Sequence, residues 1–247
     1  MSLELFRFEN LAAVPGVEHA ISTRAGGVSD GHCASLNTSY NVGDPRENVD
    51  ENLRRLSRAV GAERELLVAA YQVHGNAVTL VDRDTPSRPK CDVLITRSPA
   101  RTLMLRFADC TPVLIADPKR KAVAAVHAGW RGSAVRAAGA AVKALHDAFG
   151  SRPGDLLAGI GPAVGPCCYT VGQDVVDTFS DRPWLLSDES RLDLWEANRQ
   201  ALVEAGVPAD QIELAGICTQ CHADRFFSHR GNGGQPAGRF AALIRVA

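Results

Sequence analysis

Histidine and cysteine occur in three short segments that lie at the ends of predicted strands. The segments are 71–76 (YQVHGN), 108–112 (ADCTP) and 126–132 (VHAGWRG). Strand ends and tight turns hold side chains on rigid supports, which is where catalytic groups usually lie. We therefore predict that His74, Cys110 and His127 are the residues that can carry chemistry in this protein.

Two histidines and one cysteine suit a catalytic zinc ion, which takes three protein ligands and keeps its fourth position open. These three residues are too far apart in the sequence to form a local zinc finger. Imidazole and thiolate also bind Cu²⁺, which can outcompete zinc. A second chemistry uses the same residues, with a histidine activating the Cys110 thiolate as a nucleophile. Each residue taken alone is also typical of an ordinary core position.

Glycines and arginines together mark three loops, 23–37, 129–133 and 226–240, as candidates for binding an anion. In the loop 129–133 (GWRGS), the glycines allow a ligand to approach the backbone, and Arg131 offers a forked donor for phosphate or carboxylate. The polar candidates in these loops are Arg24, Asn37, Arg131, Arg230 and Arg239. The same pattern is typical of glycine-rich connections with surface arginines, so it leaves both interpretations open.

Seven cysteines, an odd number in a chain of this length, do not indicate a disulfide framework. Cys218 and Cys221 form a C-x-x-C motif, but a zinc knuckle needs a second such pair and the chain has none. Zinc nucleobase deaminases combine C-x-x-C with an H-x-E segment, which is also missing. The sequence leaves the role of these two cysteines open between metal binding, redox chemistry and burial.

The composition excludes several classes of protein. The 247 residues include 27 Lys and Arg against 28 Asp and Glu, with no basic run, so we expect no nucleic-acid partner. No stretch approaches the ~18 apolar residues of a membrane span, and the first residues lack the apolar core of a signal peptide. We expect a cytoplasmic globular protein with no membrane partner.

Apolar runs rich in Val, Ile and Leu predict the strands that must position these residues. They cover 17–23, 66–71, 77–81, 91–96, 102–107, 112–116, 122–127, 156–160, 212–217 and 240–246. Most runs are continuous rather than alternating, which predicts strands that are covered on both faces.

Three helices are predicted between these strands. Asp44 is typical of an N-cap, with Pro45 in the first turn and Glu47 as the acid of a capping box. A third helix is expected over about 191–205, ending at Gly206. The second helix has an apolar face formed by Val135, Ala138, Val142, Leu145 and Phe149.

Strands outnumber helices and often follow one another without a crossover helix. This favours an α+β fold, with a mixed β-sheet and flanking helices in one layered domain over residues 1–247, rather than a doubly wound fold.

Taken together, the segments resemble the YfiH-like family, once catalogued as laccase-like polyphenol oxidases and now associated with purine nucleoside phosphorylase activity. The matching strings occur in the family's order: TRAGGVSDG, ASLN, NVGD, YQVHGN, ADCTPVLIAD, HAGWRG, GPAVGPCCYTVG, then CT, FFSHR and GR. They cover roughly residues 20 to 245. The resemblance implies a single domain similar to a cysteine-hydrolase-like fold.

The resemblance also implies a function and a site. His74, Cys110 and His127 would bind Zn²⁺ at the catalytic centre, and Asp109 is our candidate for an acid–base or orienting residue. The implied activities are phosphorolysis of adenosine, inosine, guanosine and methylthioadenosine, and deamination of adenosine by water that the zinc activates. Purine nucleosides and phosphate would be the partners of a monomer or homodimer. Our candidate substrate-binding residues are Arg24, Asn37, Gln72, Arg131, Arg230 and Arg239.

Four positions depart from the family pattern without affecting the proposed ligands. They are Asn41, Cys91, Arg106 and Thr170. These departures therefore bear on substrate preference rather than on metal binding.

Other functions remain open at this point. A copper-dependent polyphenol oxidase with four coppers needs many histidines, usually in H-x-H pairs, and this chain has seven histidines and no such pair. A cysteine amidase acting on peptidoglycan precursors would use Cys110 as nucleophile, with His74 or His127 as base. A nucleotide-responsive binding module would show affinity without turnover.

Overall fold

The computed structural model of the chain describes residues 2–247, which contain eleven strands and six α-helices. The strands are β1 (Leu5–Phe6), β2 (Val17–Ser22), β3 (Leu67–Ala69), β4 (Val78–Leu80), β5 (Val93–Thr96), β6 (Thr102–Phe107), β7 (Thr111–Asp117), β8 (Ala122–Ala128), β9 (Leu157–Ile160), β10 (Ile212–Leu214) and β11 (Phe240–Val246). The helices are α1 (Glu9–Ala12), α2 (Arg46–Ala59), α3 (Trp130–Ala134), α4 (Ala137–Phe149), α5 (Gln173–Thr178) and α6 (Leu194–Glu204).

The strands form two mixed sheets, which confirms the predicted α+β fold. The first sheet has the order β1-β2-β11-β6-β3, and the second has the order β10-β9-β7-β8-β5-β4. Neighbouring strands are antiparallel except for β3 with β6, β10 with β9 and β4 with β5, which are parallel.

The alternation of side chains along β6 explains how the sheets and helices stack. Leu103 and Leu105 pack with Leu114 of β7 in a core between the two sheets, whereas Met104 packs with Leu53 of α2 on the other face. The far face of the second sheet packs against α4 and α6. The order of layers is therefore α2, first sheet, second sheet, then α4 and α6. Because helices cover the outer faces, the central strands are buried throughout, as their continuous apolar runs predict.

Each of the ten predicted strands is present, with most ends displaced by one to three residues, and the two-residue β1 was not predicted. The predicted cap of α2 is wrong. The helix begins after Pro45 without a side-chain cap, because the Asp44 carboxylate instead accepts hydrogen bonds from Ser29 (2.6 Å) and Asn37 (2.7 Å).

The second predicted helix is divided in two, because Arg136 adopts a left-handed conformation (φ 54°) between α3 and α4. Val135 is consequently exposed rather than part of the apolar face. The third helix ends as expected, with Gly206 at φ 93°. Its start is three residues later than predicted, where Asp193 accepts a hydrogen bond from the backbone N–H of Glu196 (3.0 Å).

None of the helices within residues 2–247 combines the length and the apolar character that crossing a bilayer requires.

Candidate active site

The three residues predicted to carry chemistry meet where the chain passes from one sheet to the other. His74 lies between β3 of the first sheet and β4 of the second, and Cys110 lies in the turn from β6 to β7. His127 lies near the end of β8. One nitrogen of each histidine and the sulfur of Cys110 are all within 4.8 Å of one another, which is close enough for one metal ion to contact all three.

Strand register brings Cys110 close to the histidines. Thr111 pairs with Ala128 and Pro112 with His127, so the same antiparallel register places Cys110 beside Gly129. A Cβ atom at Gly129 would lie only 2.8 Å from the sulfur of Cys110 and 3.6 Å from the His74 ring. This position must therefore be glycine for steric reasons, since its backbone conformation is one that any residue adopts.

Asp92 is the residue that holds the two histidines in place, and sequence analysis did not identify it. Its buried carboxylate accepts hydrogen bonds from the backbone N–H groups of Val73 (3.2 Å), His74 (2.9 Å) and Gly75 (2.7 Å). The same carboxylate bonds Nδ1 of His127 at 2.8 Å. A charged residue within the apolar run 91–96 is the only sequence signal of this role.

The backbone at His74 has a positive φ of 64°, which is uncommon for a residue other than glycine. The bonds from three consecutive N–H groups to Asp92 stabilise this conformation. Strained backbone of this kind concentrates at functional sites, where the surrounding structure holds it in place.

Charge coupling between Cys110 and His127 favours the thiolate. Removal from solvent raises the pKa of Cys110, but the neighbouring His127 and hydrogen bonds from both histidines lower that pKa by more. Burial lowers the pKa of His127, but Cys110 and Asp92 raise that pKa by more. In Asp92, burial raises the carboxyl pKa, and the bonds from His127 and the backbone lower it below its usual range. The site is therefore arranged around a negatively charged sulfur.

The donor set fits a metal ion. Because Nδ1 of His127 bonds Asp92, Nε2 is the nitrogen left to face Cys110. Two imidazole nitrogens and one thiolate are the kind of set that holds catalytic zinc with an open fourth position. A carboxylate behind a histidine ligand is the usual device that orients such a ligand.

A cleft of about 420 Å³ opens above these three residues. Of the predicted substrate-binding residues, Gln72 and Arg239 line it. The amide of Gln72 makes two bonds with the backbone of Arg106, at 2.8 and 3.0 Å. Buried Asn37 does not line the cleft but accepts a hydrogen bond from the Arg239 backbone (2.9 Å), so it positions that arginine.

The cleft also contains residues that sequence analysis did not propose as substrate ligands. Burial lowers the pKa of Arg106 to about 10, with the nearby charge of Arg88 as the next cause, so Arg106 stays charged at neutral pH. Arg88 lies over the half-exposed ring of Tyr71, 5.3 Å from its centroid. Among residues 2–247, neither of these arginines nor Arg239 forms an ion pair. The cleft is also lined by Ser39, Asn41, Val42 and His229.

Three predicted arginines lie outside the lining of this cleft. Arg24 donates to the carbonyls of Ala34 and Ala223, both at 2.8 Å. Arg131 is exposed and stacks on the Trp130 ring at 4.1 Å. Arg230 stacks on Tyr169 and donates to the carbonyl of Thr170. Their roles in substrate binding remain predictions.

Asp109 makes contacts that favour positioning over proton transfer. Its carboxylate accepts hydrogen bonds from Thr219 (2.7 Å), Ser228 (2.6 Å) and the backbone of Arg230 (2.7 Å). These three donors occupy the carboxylate and join the loop at Cys110 to the last part of the chain. Its role as an acid–base residue remains a prediction.

Comparison with known proteins agrees with this architecture. The sequence model of a family described as "Multi-copper polyphenol oxidoreductase laccase" matches residues 18–247. The chain is 39% identical over 247 residues to "Purine nucleoside phosphorylase YlmD" of Geobacillus stearothermophilus, covering 93% of this chain and 90% of that protein. It is 35% identical over 241 residues to a "Purine nucleoside phosphorylase" of Bacteroides thetaiotaomicron, covering 90% and 89%.

Solved structures show the same fold. The crystal structure of the hypothetical protein YfiH from Bacillus licheniformis matches with a TM-score of 0.90 and 34% identity, covering 100% of this chain and 97% of that one. The structure of YlmD from Geobacillus stearothermophilus matches with a TM-score of 0.86 and 38% identity, covering 94% and 93%. The chain therefore belongs to the YfiH-like family of laccase-domain proteins.

Proposed function

We propose that this protein is a zinc-dependent purine nucleoside phosphorylase that accepts adenosine, inosine, guanosine and methylthioadenosine and also deaminates adenosine. The observation that carries the proposal is a cleft lined both by side chains that could hold a metal ion and by three arginines without ion pairs. The names of relatives that share about nine-tenths of their length with this chain support the purine nucleoside phosphorylase part of the proposal.

His74, Cys110 and His127 would hold the zinc ion, and Asp92 would fix the orientation of His127. When bound, the ion would supply Lewis-acid activation in a site that is partly removed from solvent. Zinc is preferred over copper in this proposal because a nitrogen and sulfur set with one open position is typical of catalytic zinc.

The arginines would bind the second substrate. Phosphate is a dianion or monoanion near neutral pH, and Arg88, Arg106 and Arg239 offer cationic donors around one cavity. In the reaction, a phosphate oxygen forms a bond to C1′ of the ribose while the bond from C1′ to the purine nitrogen breaks. The base leaves with that electron pair and takes up a proton, and the other product is ribose 1-phosphate. The exposed ring of Tyr71 is suited to stack on the purine.

The decisive assay measures cleavage of inosine with and without phosphate, using protein whose metal content has been determined. We expect cleavage to require phosphate and to yield ribose 1-phosphate. Equal release of free ribose without phosphate would indicate a hydrolase, and nucleoside affinity without turnover would indicate a binding module.

Arginine variants in the same assay test phosphate binding. Arg88→Ala removes an exposed cation from the cleft, so we expect the phosphate KM to rise about 10- to 100-fold, with a smaller change in the nucleoside KM. Arg83→Ala is the matched control, since Arg83 is exposed five residues earlier in the sequence but does not line this cleft. Arg131→Ala tests the prediction from sequence that this arginine binds phosphate.

A cysteine amidase acting on peptidoglycan precursors is the second candidate, because Cys110, His127 and Asp92 form a linked series of thiol, imidazole and carboxylate. A cysteine sulfur bound to zinc is protected from alkylation, whereas a free nucleophilic thiolate is not. We expect slow labelling of Cys110 by iodoacetamide in metal-loaded protein, faster labelling after chelation, and activity that returns with zinc. Rapid labelling at full zinc occupancy, or activity that survives chelation, would favour the amidase.

A four-copper polyphenol oxidase has less support, despite the description of the matching family. Within residues 2–247, two groups of side chains could hold a metal ion, and together they contain only two histidines. An assay of phenol oxidation in protein whose metal has been exchanged for copper tests this alternative.

A further inference from the structure

Four cysteines outside the active site converge on one point. Cys167 and Cys168 lie in the turn after β9, and Cys218 and Cys221 lie in the loop after β10. Their four sulfur atoms are all within 4.8 Å of one another. The sulfur of Cys221 is 3.6 Å from that of Cys167 and 3.4 Å from that of Cys168.

The pairing of β9 with β10 explains this convergence. These strands are parallel neighbours, so the loops after them leave the same edge of the sheet. The two loops remain paired beyond the strands, through a parallel bridge between Ala163 and Cys218. The backbone N–H of Gly165 then donates to the sulfur of Cys218 at 3.3 Å, the kind of bond that stabilises a negatively charged sulfur.

Burial alone does not explain the cluster. Free cysteines are usually buried as small apolar residues, but Cys167 and Cys221 are exposed to solvent. The separations instead match a tetrahedral metal site, because zinc–sulfur bonds of about 2.3 Å imply sulfur–sulfur edges of about 3.8 Å. The C-x-x-C motif lacked a second pair in the sequence, and the adjacent cysteines Cys167 and Cys168 supply that pair in space.

We infer that Cys167, Cys168, Cys218 and Cys221 bind a second zinc ion, which is structural because all four positions around it are protein thiolates. Binding would release the protons of thiols that are protonated in the free protein. The ion would join the loops after β9 and β10. Thr219, next to Cys218, donates to the Asp109 carboxylate, and Asp109 precedes Cys110, so the second site supports the loop that carries the first.

Metal content in matched variants tests this inference. We expect about two zinc ions per chain in the wild type, since each site would hold one ion. Cys221→Ser and Cys167→Ser, at exposed positions, should each lose one ion, and His74→Ala should lose the other. Cys33→Ser removes a buried thiol far from either group in the sequence and should keep both ions. A wild type with one ion that His74→Ala abolishes and Cys221→Ser retains would overturn the inference.

The His74→Ala protein also allows a test that needs no cysteine variant to fold. Loaded with Co²⁺, it should show the strong sulfur-to-metal charge-transfer bands of a tetrahedral four-thiolate site, and these bands should disappear on chelation. Cys167 and Cys221 should react slowly with iodoacetamide in the metal-loaded protein and rapidly after chelation. Fast labelling with metal present, or a mass lower by two hydrogens from a disulfide between Cys168 and Cys221, would contradict a metal site. The His74→Ala background keeps this result separate from the proposed function.

Discussion

At the scale of single residues, Asp92 links the parts of the candidate active site. One buried carboxylate accepts hydrogen bonds from three consecutive backbone N–H groups, those of residues 73–75, and orients the ring of His127. The backbone conformation at His74 and the orientation of the His127 ring therefore depend on the same carboxylate. Cys110 joins them through strand register, and Gly129 leaves the space that its sulfur occupies.

We predict that Asp92→Asn weakens zinc binding at His74, Cys110 and His127 by about 10- to 100-fold. An amide has one acceptor oxygen in place of two, and its NH₂ group would face backbone donors that then lack a partner. The measurement is competition for zinc against a chelator of known affinity, with purine phosphorolysis as a second readout.

Asp84→Asn is the matched control for charge, since Asp84 is exposed and lies outside the site. Unchanged zinc affinity in Asp92→Asn would show that the three ligands are positioned without the carboxylate.

At the scale of elements, apolar runs predicted the strands well because burial on both faces leaves a continuous signal. The pattern of capping residues failed at α2, where the Asp44 carboxylate accepts hydrogen bonds from Ser29 and Asn37, which lie 15 and 7 residues before it in the preceding loop. The division between α3 and α4 also lacked a signal, because Arg136 rather than glycine adopts the left-handed conformation. Local sequence patterns therefore predicted the helices and strands, but not the tertiary interactions that change where those elements begin and end.

The same distinction between local patterns and tertiary structure applies to the candidate sites. Motifs located His74, Cys110 and His127, whose side chains belong to recognisable segments. The convergence of Cys167 and Cys168 with Cys218 and Cys221 depends on the neighbouring positions of β9 and β10, which no local pattern specifies. The arginines of the cleft come from three separate parts of the chain, and their grouping is a property of the folded state.

Strand β2 contains a buried histidine that we expect to make stability depend on pH. His19 is buried, and its Nε2 accepts a hydrogen bond from the backbone N–H of Phe8 at 2.9 Å. Burial lowers the pKa of His19 to about 4, with the charge of Arg7 as the second cause. Since the unfolded state then binds more protons below pH ~6.5, the free energy of unfolding should fall as pH decreases from about 6.5 to 4. This histidine contributes up to about 3 kcal/mol to that fall.

Urea unfolding of wild type and His19→Gln across this pH range measures the contribution. Glutamine keeps an acceptor for the Phe8 N–H but does not titrate, so the difference in free energy between the two proteins should change with pH. Carboxylates that titrate in both proteins cancel in the comparison. Parallel pH curves would show that His19 is not held neutral by the fold.

At the scale of the whole molecule, the two sheets share one core. Side chains of β6 and β11 in the first sheet pack with side chains of β7 and β8 in the second. The turn from β6 to β7 carries Cys110, and the connection from β3 to β4 carries His74, so both candidate ligands lie on segments that cross between the sheets. Separation of the sheets would therefore disrupt the candidate active site along with the core.

This arrangement predicts that residues 1–247 unfold as a single cooperative unit. The three tryptophans lie in helical segments: Trp130 in α3, Trp195 in α6 and Trp184 between α5 and α6. No strand of the first sheet contains one. Tryptophan fluorescence therefore reports one side of the molecule, whereas far-UV circular dichroism reports both sheets. Because a buried core joins the sheets, we expect the two signals to give the same urea midpoint and slope. Bound metal shifts the apparent stability, so the comparison is made once with excess zinc and once with excess chelator. Coincident curves in both conditions would support one domain, and a fluorescence transition separate from the circular dichroism transition would show that the two sheets unfold independently.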